Sequence, residues 1–150
     1  MVVGLLCRSA PLQDRPLDRI RVLLADDHHD FLAAAARLLE PEFEVVQTVG
    51  DGQALLAEAA RLEPDVLVLD ISMPVLNGIE AARRLRGAGS RAKVVFLTVH
   101  QDPDYVRGAL AAGALGYVVK SRLVSDLALA LREALAGRSF VSPSISLEGV

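Results

Sequence analysis

Five short runs of apolar residues alternate with longer amphipathic segments along most of the chain. The runs are rich in Val, Leu and Ile with few polar interruptions, which is typical of parallel strands buried on both faces. We predict strands near residues 20–25, 43–49, 65–70, 92–98 and 115–119. Between them, apolar residues recur at helical spacing. We predict helices near residues 30–40, 52–62, 78–87, 103–112 and 122–136.

Local signals mark several helix ends and faces. Asp51 and Asp102 are in position to cap helix N-termini, and Gly87 follows a helix where a left-handed residue is expected. The last helix carries an apolar stripe that we expect to be buried. This stripe consists of Val124, Leu127, Leu131 and Leu135. Leu129 lies on the opposite face, and we consider it a candidate contact with a partner.

The order of the elements predicts the fold class. Five successive βα units predict an α/β domain, in which right-handed crossovers place helices on both faces of a parallel five-stranded sheet. A chain of 150 residues, 52% of them hydrophobic, is long enough for one core but short for two. We therefore predict a tail over residues 1–19, one domain over residues 20–137 and a second tail over residues 138–150.

Composition excludes several classes of function. A net charge of −3 gives no electrostatic basis for binding nucleic acid, so we expect no direct contact with it. Cys7 is the only cysteine, so neither an intrachain disulfide nor a thiolate metal site can form. The apolar stretch over residues 2–7 is too short for a secretory signal, and no segment approaches a membrane span. We expect a cytoplasmic protein that does not bind membranes.

Polar residues follow four of the five predicted strands. They are Asp26 and Asp27 after the first strand, Asp70 after the third, Thr98 at the end of the fourth and Lys120 after the fifth. The carboxyl ends of parallel strands meet at one edge of the sheet, where α/β proteins bind their ligands. Each residue alone is more simply a helix cap or a turn residue. Together they predict one polar site.

The chemistry of this predicted site follows from its charge. Carboxylates about 5 Å apart repel by roughly 3 kcal/mol at an effective dielectric constant near 20, so the cluster requires a proton or a cation. Oxygen ligands favour Mg²⁺, which in turn favours phosphate oxygens. Asp70 could then serve as a nucleophile that forms an aspartyl phosphate, with Lys120 as a second positive charge. We interpret His28 and His29 as the start of the next helix and not as metal ligands.

Three segments resemble the receiver domains of two-component response regulators. They are LLADDHHDF, VLVLDISMPVLNGIEAARRLR and VVFLTVHQDPDYVRGALAAGALGYVVKS, and the resemblance extends over about residues 20–136. It implies a flavodoxin-like, doubly wound (βα)5 three-layer sandwich with strand order 2-1-3-4-5. It also implies that Asp70 is the phosphoacceptor. The implied Mg²⁺ ligands are Asp26, Asp27, Asp70 and the main-chain carbonyl of Ser72.

The resemblance further implies how such a domain switches. Thr98 would be the hydroxyl that contacts the phosphoryl group, Lys120 would pair with that group, and Tyr117 resembles the aromatic residue whose ring moves inward. The implied donor is a sensor histidine kinase or a phosphotransfer protein. A receiver catalyses only its own phosphorylation and dephosphorylation, so we do not expect an enzyme. Val99 is bulkier than the residue that many receivers place after the hydroxyl residue, and it could narrow access to the site.

The segments DDHHDF, LTVHQDP and GALGYVVKS are most similar to receivers of the NarL/FixJ group, which usually continue into a helix-turn-helix domain. Only seven residues follow Pro143, which is too few for such a domain. We therefore expect output through a downstream protein partner or a homodimer and not through DNA.

Three alternatives compete with a phosphorylation-controlled module. An aspartyl phosphohydrolase resembling haloacid dehalogenases would carry an acid two residues after the nucleophile, where this chain has Ser72. A flavodoxin-like nucleotide binder would need a loop that cradles phosphate after the first strand, where the acids of this chain would repel it. A receiver that is never phosphorylated, and acts as a docking or dimerisation module, is the remaining alternative, and Val99 is compatible with it.

Overall fold

The computed structural model describes residues 19–143. Its strands are β1 (Arg21–Ala25), β2 (Glu44–Val49), β3 (Val66–Leu69), β4 (Lys93–Thr98), β5 (Gly116–Val119) and β6 (Phe140–Val141). Its helices are α1 (His29–Leu39), α2 (Gly52–Leu62), α3 (Gly78–Gly87), α4 (Pro103–Ala111) and α5 (Leu123–Leu135), with a 3₁₀ turn at Lys120–Arg122. The predicted tail over residues 1–19 lies almost wholly outside the described residues. Within residues 19–143, no helix combines the length and apolar character that a membrane crossing requires.

The strands form one parallel sheet with the order β2-β1-β3-β4-β5-β6. The predicted α/β class, the flavodoxin-like fold and the order 2-1-3-4-5 are therefore confirmed. The sixth strand is an addition, because Phe140 and Val141 pair with Gly116 and Tyr117 at the edge of the sheet. Two residues are too few to produce a recognisable strand pattern, so the sequence predicts only a tail for this segment.

Both faces of the sheet are covered, which explains the unbroken apolar runs. In β1, Leu23 and Ala25 belong to the core on one face, whereas Val22 and Leu24 belong to the core on the other face. Successive residues of a strand point to opposite faces, so a strand between two layers of helices needs apolar residues at every position.

Two predicted helix ends are confirmed and two other details are wrong. Asp51 accepts a hydrogen bond from the main chain of α2, and Asp102 accepts one from the main chain of α4. Gly87 is the last residue of α3, and the left-handed turn falls on Gly89 (φ 92°). Val124 is 80% exposed. Its neighbour Leu123 packs against the core in that turn, so the buried face of α5 runs through Leu123, Leu127 and Leu131 and leaves Val124 outside it.

A buried acid ties the segment after β6 to the sheet. Asp126 is 3% exposed and accepts hydrogen bonds from Arg122 (2.7 Å), Ser125 (3.0 Å) and Ser142 (2.8 Å). The Ser142 hydroxyl also accepts a hydrogen bond from the main-chain N–H of Val119, at 3.1 Å. These bonds hold the segment after β6 against the residue that directly precedes Lys120.

We expect Asp126→Asn to destabilise the protein in a pH-dependent way. Burial favours the neutral acid, but hydrogen bonds from Arg122, Ser142 and Ser125 outweigh it and hold the pKa of Asp126 below its usual value. A lowered pKa stabilises the fold above the unfolded-state pKa and loses this effect as the pH falls through the folded-state value. The free energy of unfolding should drop by about 1.5–3 kcal/mol at pH 7, measured by urea unfolding. The difference should shrink below about pH 4, and a pH-independent difference would contradict the assignment.

Candidate functional site

The carboxyl ends of β1 and β3 place three acids at one edge of the sheet. The two strands are neighbours, and the main-chain N–H of Asp70 donates to the carbonyl of Ala25 at 2.9 Å. The main-chain N–H of Asp26 donates to the carbonyl of Val49 at the end of β2. The chain crosses to opposite sides of the sheet from β1 and β3, so the helices diverge above this point and leave an opening.

Lys120 joins two of these acids. Its Nζ lies 2.6 Å from Asp26 Oδ2 and 3.1 Å from Asp70 Oδ2. The three residues are 3–6% exposed, so this is a buried ion-pair cluster. The ring of Phe31 in α1 covers the ammonium group, with its centroid 4.6 Å from Nζ. One lysine cannot neutralise both carboxylates and the nearby Asp27, so the cluster retains negative charge.

The two buried acids have opposite pKa shifts. Burial and the negative charge of Asp26 raise the pKa of Asp70, and Lys120 and Thr98 only partly counteract them. Burial also favours the neutral form of Asp26, but hydrogen bonds from Lys120 and His28 outweigh this effect and lower the pKa of Asp26. The two acids differ because Asp26 also accepts hydrogen bonds from His28, whereas Asp70 experiences the negative charge of Asp26. Burial disfavours the charge of Lys120, but the two carboxylates outweigh it and raise its pKa.

The loop after Asp70 is held by close backbone packing. A Cβ added to Gly78 would lie 2.0 Å from the carbonyl oxygen of Asp70, so only glycine fits there. Asn77 caps α3 by accepting from the N–H of Glu80 at 2.9 Å. Val75 is held at φ 73°, an unusual conformation for a β-branched residue. The packing of this loop therefore fixes the position of the Asp70 backbone.

Thr98 and Tyr117 are joined through His100. Thr98 is fully buried at the end of β4, and its hydroxyl accepts a hydrogen bond from the main-chain N–H of His100 at 3.3 Å. Tyr117 is also fully buried, and its hydroxyl donates to the main-chain carbonyl of His100 at 2.8 Å. Burial and the nearby charge of Asp70 raise the pKa of Tyr117. The Tyr117 ring thus occupies an inward position.

Ser72 makes a contact that the sequence did not indicate. Its hydroxyl lies 2.7 Å from Nε2 of His100, and the His100 ring stacks on Tyr105 of α4 with centroids 4.2 Å apart. Ser72 therefore links the loop after β3 to the first turn of α4. The role of its main-chain carbonyl as a metal ligand stays a prediction.

His28 also lies differently from our expectation. It precedes α1 as the N-cap residue, and His29 begins the helix, as predicted. However, the ring of His28 faces the acids, with Nδ1 3.0 Å from Asp26 Oδ1 and 3.1 Å from Asp27 Oδ1. A histidine at the start of a helix is common, so its position in the sequence does not indicate a contact with the site. Only the folded structure shows that the His28 ring turns toward the acids.

The arrangement fits a divalent cation. Asp26, Asp27, His28 and Asp70 each offer one ligand atom, and these atoms lie within 4.8 Å of one another. Carboxylate oxygens are the ligands that Mg²⁺ prefers. The structure thus brings together the predicted Asp26, Asp27, Asp70, Thr98 and Lys120 at one edge of the sheet. The sequence placed His100 beside the site, but it did not indicate that the side chains of His28 and Phe31 reach the acids and Lys120.

Comparison with protein-family models matches residues 22–132 to the response regulator receiver domain. The sequence is 35% identical over 131 residues to the transcriptional regulatory protein DegU of Brevibacillus brevis, covering 86% of this chain and 56% of DegU. The chain therefore spans little more than half the length of that relative.

Two solved structures have a similar fold. A two-component response regulator of the LuxR family from Aurantimonas sp. SI85-9A1 gives a TM-score of 0.81 at 35% identity, covering 85% of this chain and 93% of that one. The NarL signal receiver domain from Mycobacterium tuberculosis gives a TM-score of 0.73 at 30% identity, covering 81% of this chain and 99% of that domain.

Proposed function

The chain belongs to the response regulator receiver domain family, and we propose that it is a switch controlled by phosphorylation of Asp70. The observation that carries this proposal is the buried Asp70 carboxylate, 3.1 Å from Lys120 and grouped with two further acids. We propose a sensor histidine kinase or phosphotransfer protein as the donor, a downstream protein or a second copy of the chain as the target, and a cytoplasmic location.

The reaction would be an in-line transfer to the carboxylate. A carboxylate oxygen of Asp70 forms a bond to phosphorus while the bond from phosphorus to the donor's imidazole nitrogen breaks, and the electron pair stays with the imidazole. A bound Mg²⁺ would screen the negative charge between the acids and the phosphoryl oxygens. Lys120 already contacts Asp70, so its ammonium group is in position to pair with a phosphoryl oxygen.

The response of the fold would begin at Thr98. A phosphoryl oxygen on Asp70 would accept a hydrogen bond from the Thr98 hydroxyl, and a movement of Thr98 toward it would lengthen the bond that this hydroxyl now accepts from the His100 N–H at 3.3 Å. His100 also accepts from Tyr117 and stacks on Tyr105 of α4. A shift of Thr98 would therefore alter contacts at α4 and β5, where a partner could detect the change.

The test is intact-protein mass after incubation with acetyl phosphate and Mg²⁺, beside a chelated sample. We expect a gain of one phosphoryl group that requires the divalent ion. Absence of uptake from acetyl phosphate and from a panel of phosphorylated histidine kinases, in a folded protein that binds Mg²⁺, would contradict it. That result would favour the alternative, a phosphorylation-independent docking or dimerisation module.

Val99 supports the alternative of a receiver that is not phosphorylated, because its side chain could narrow access to Asp70. It is 64% exposed and lines an open depression together with His28, Phe31 and Lys120. We expect Val99→Ala to speed phosphoryl uptake about fivefold, because a smaller side chain would lower the access barrier by roughly 1 kcal/mol. The free energy of unfolding should change by less than about 0.5 kcal/mol. Unchanged uptake rates, followed by mass spectrometry, would show that Val99 does not limit access.

A further inference from the structure

His28 gives the acidic site a nitrogen donor. Its Nδ1 lies 3.0 Å from Asp26 Oδ1 and 3.1 Å from Asp27 Oδ1. The Lys120 ammonium occupies the other oxygen of Asp26, Oδ2, at 2.6 Å. One oxygen of each of these two acids therefore faces the imidazole nitrogen, and the Lys120 ammonium lies at the border of this group, 3.5 Å from Nδ1.

The spacing of these atoms suits ligands of one ion. Two ligands that each lie about 2.1 Å from a metal at a right angle are about 3.0 Å apart. Both distances from His28 Nδ1 match this value, and an Asp70 oxygen completes a group within 4.8 Å. The same contacts are hydrogen bonds when Nδ1 carries a proton, so a metal ion would replace that proton.

The charge balance is consistent with a divalent ion and a neutral imidazole. Asp26, Asp27 and Asp70 carry three negative charges when ionised, and Lys120 compensates one. A divalent cation compensates the remaining two, and a neutral His28 adds a ligand without changing this balance. Imidazole nitrogen suits Ni²⁺, Co²⁺ and Zn²⁺, whereas Mg²⁺ takes oxygen ligands.

We propose that His28 Nδ1 is a ligand that gives this site a higher affinity for divalent transition metals than its carboxylates alone provide. The inference rests on the metal site of the proposed function and extends it from Mg²⁺ to nitrogen-binding ions. His28 thereby sets which divalent ion the site prefers when several are present. This revises our interpretation of His28 from the sequence as only the start of a helix.

The test is calorimetric titration of the untagged chain with Ni²⁺ and, separately, with Mg²⁺. His28→Gln should lower the Ni²⁺ affinity about tenfold or more and change the Mg²⁺ affinity less than about twofold. His29→Gln is the matched control, because His29 is the next residue, is exposed and should leave both affinities unchanged. In Co²⁺-loaded protein, NMR should show paramagnetic shifts of the His28 ring.

Three results separate this inference from the proposed function. Equal Ni²⁺ affinities of His28→Gln and wild type would overturn the inference, while Mg²⁺-dependent phosphoryl uptake by the wild type would stand. An equal loss of both metals in His28→Gln would also overturn it, because His28 would then position the carboxylates and not bind the ion. Ni²⁺ binding that depends on His28 in a wild type that neither binds Mg²⁺ nor takes up phosphoryl would support the inference and contradict the proposed function.

Discussion

Asp70→Asn is expected to abolish phosphoryl uptake and to leave the fold intact. The amide has nearly the same shape as the carboxylate, so the buried space at the end of β3 stays filled. It lacks the anionic oxygen that would attack phosphorus, and no other acid in the cluster has the same position. Incubation with acetyl phosphate and Mg²⁺, followed by intact-protein mass, should show no gain in this variant.

The stability of Asp70→Asn gives an independent check on the site. Burial and Asp26 raise the pKa of Asp70, which means that its ionised form is disfavoured in the folded protein. A group with a raised pKa costs stability above its unfolded-state value, and a neutral amide removes this cost. The loss of one contact with Lys120 acts in the opposite direction. We expect the free energy of unfolding at pH 7 to fall by no more than about 1 kcal/mol or to rise.

Asp30→Asn is the matched control for this experiment. Asp30 lies in the first turn of α1, close to the site in sequence but outside the group of ligand atoms. The Asp30→Asn variant should take up one phosphoryl group at the wild-type rate. Retained labelling of Asp70→Asn would move the acceptor to another residue, and peptide mapping would then identify it.

Lys120→Met is expected to make the stability of the protein strongly dependent on Mg²⁺. Methionine keeps the apolar stem under Phe31 but removes the ammonium group that lies between Asp26 and Asp70. Breaking a buried pair leaves uncompensated charge and typically costs about 3–5 kcal/mol. In chelator, the free energy of unfolding should fall by about this amount.

A divalent ion should recover part of this loss, because it supplies positive charge to the same carboxylates. Urea unfolding in chelator and in excess Mg²⁺ would measure the recovery in the variant and in wild type. Lys120→Arg is the matched control, since it keeps the charge. If Mg²⁺ stabilises Lys120→Met no more than wild type, the lysine and the ion do not share these carboxylates. We also expect Asp70 to be phosphorylated in Lys120→Met, but this phosphorylation should no longer alter the binding of a partner.

Much of the architecture could be predicted because local patterns and burial agree. Apolar runs such as that in β1 are long enough to be recognised, and both faces of the sheet require them. The cap at Asp51 depends only on its own helix, so it too was predictable. The predicted burial of Val124 was wrong because helical spacing allows either Leu123 or Val124 to begin the apolar stripe, and the folded structure packs Leu123 on the core. β6 was missed because its two residues pair with a distant strand.

The residues of the candidate site were likewise predictable only in part. Asp26, Asp70 and Lys120 follow strand ends directly, so the parallel sheet alone was enough to bring their positions together. The sequence predicts a helix start at His28, and this is correct for its backbone. The direction of its ring depends on carboxylates from two adjacent residues and on Lys120, which is 92 positions away. Sequence spacing carries no information about that direction.

The sequence by itself determined the family, the order of strands β1 to β5 and the acidic, hydroxyl and lysine residues at their ends. Each of these follows from a local run of residues and from the fixed geometry of βα units. Only the tertiary structure decided the opposite pKa shifts of Asp26 and Asp70, the contact of Ser72 with His100 and the position of the His28 ring. These features depend on distances and burial that are set once remote strands and loops pack together, and a change of about 1 Å in such contacts alters both charge interactions and ligand geometry.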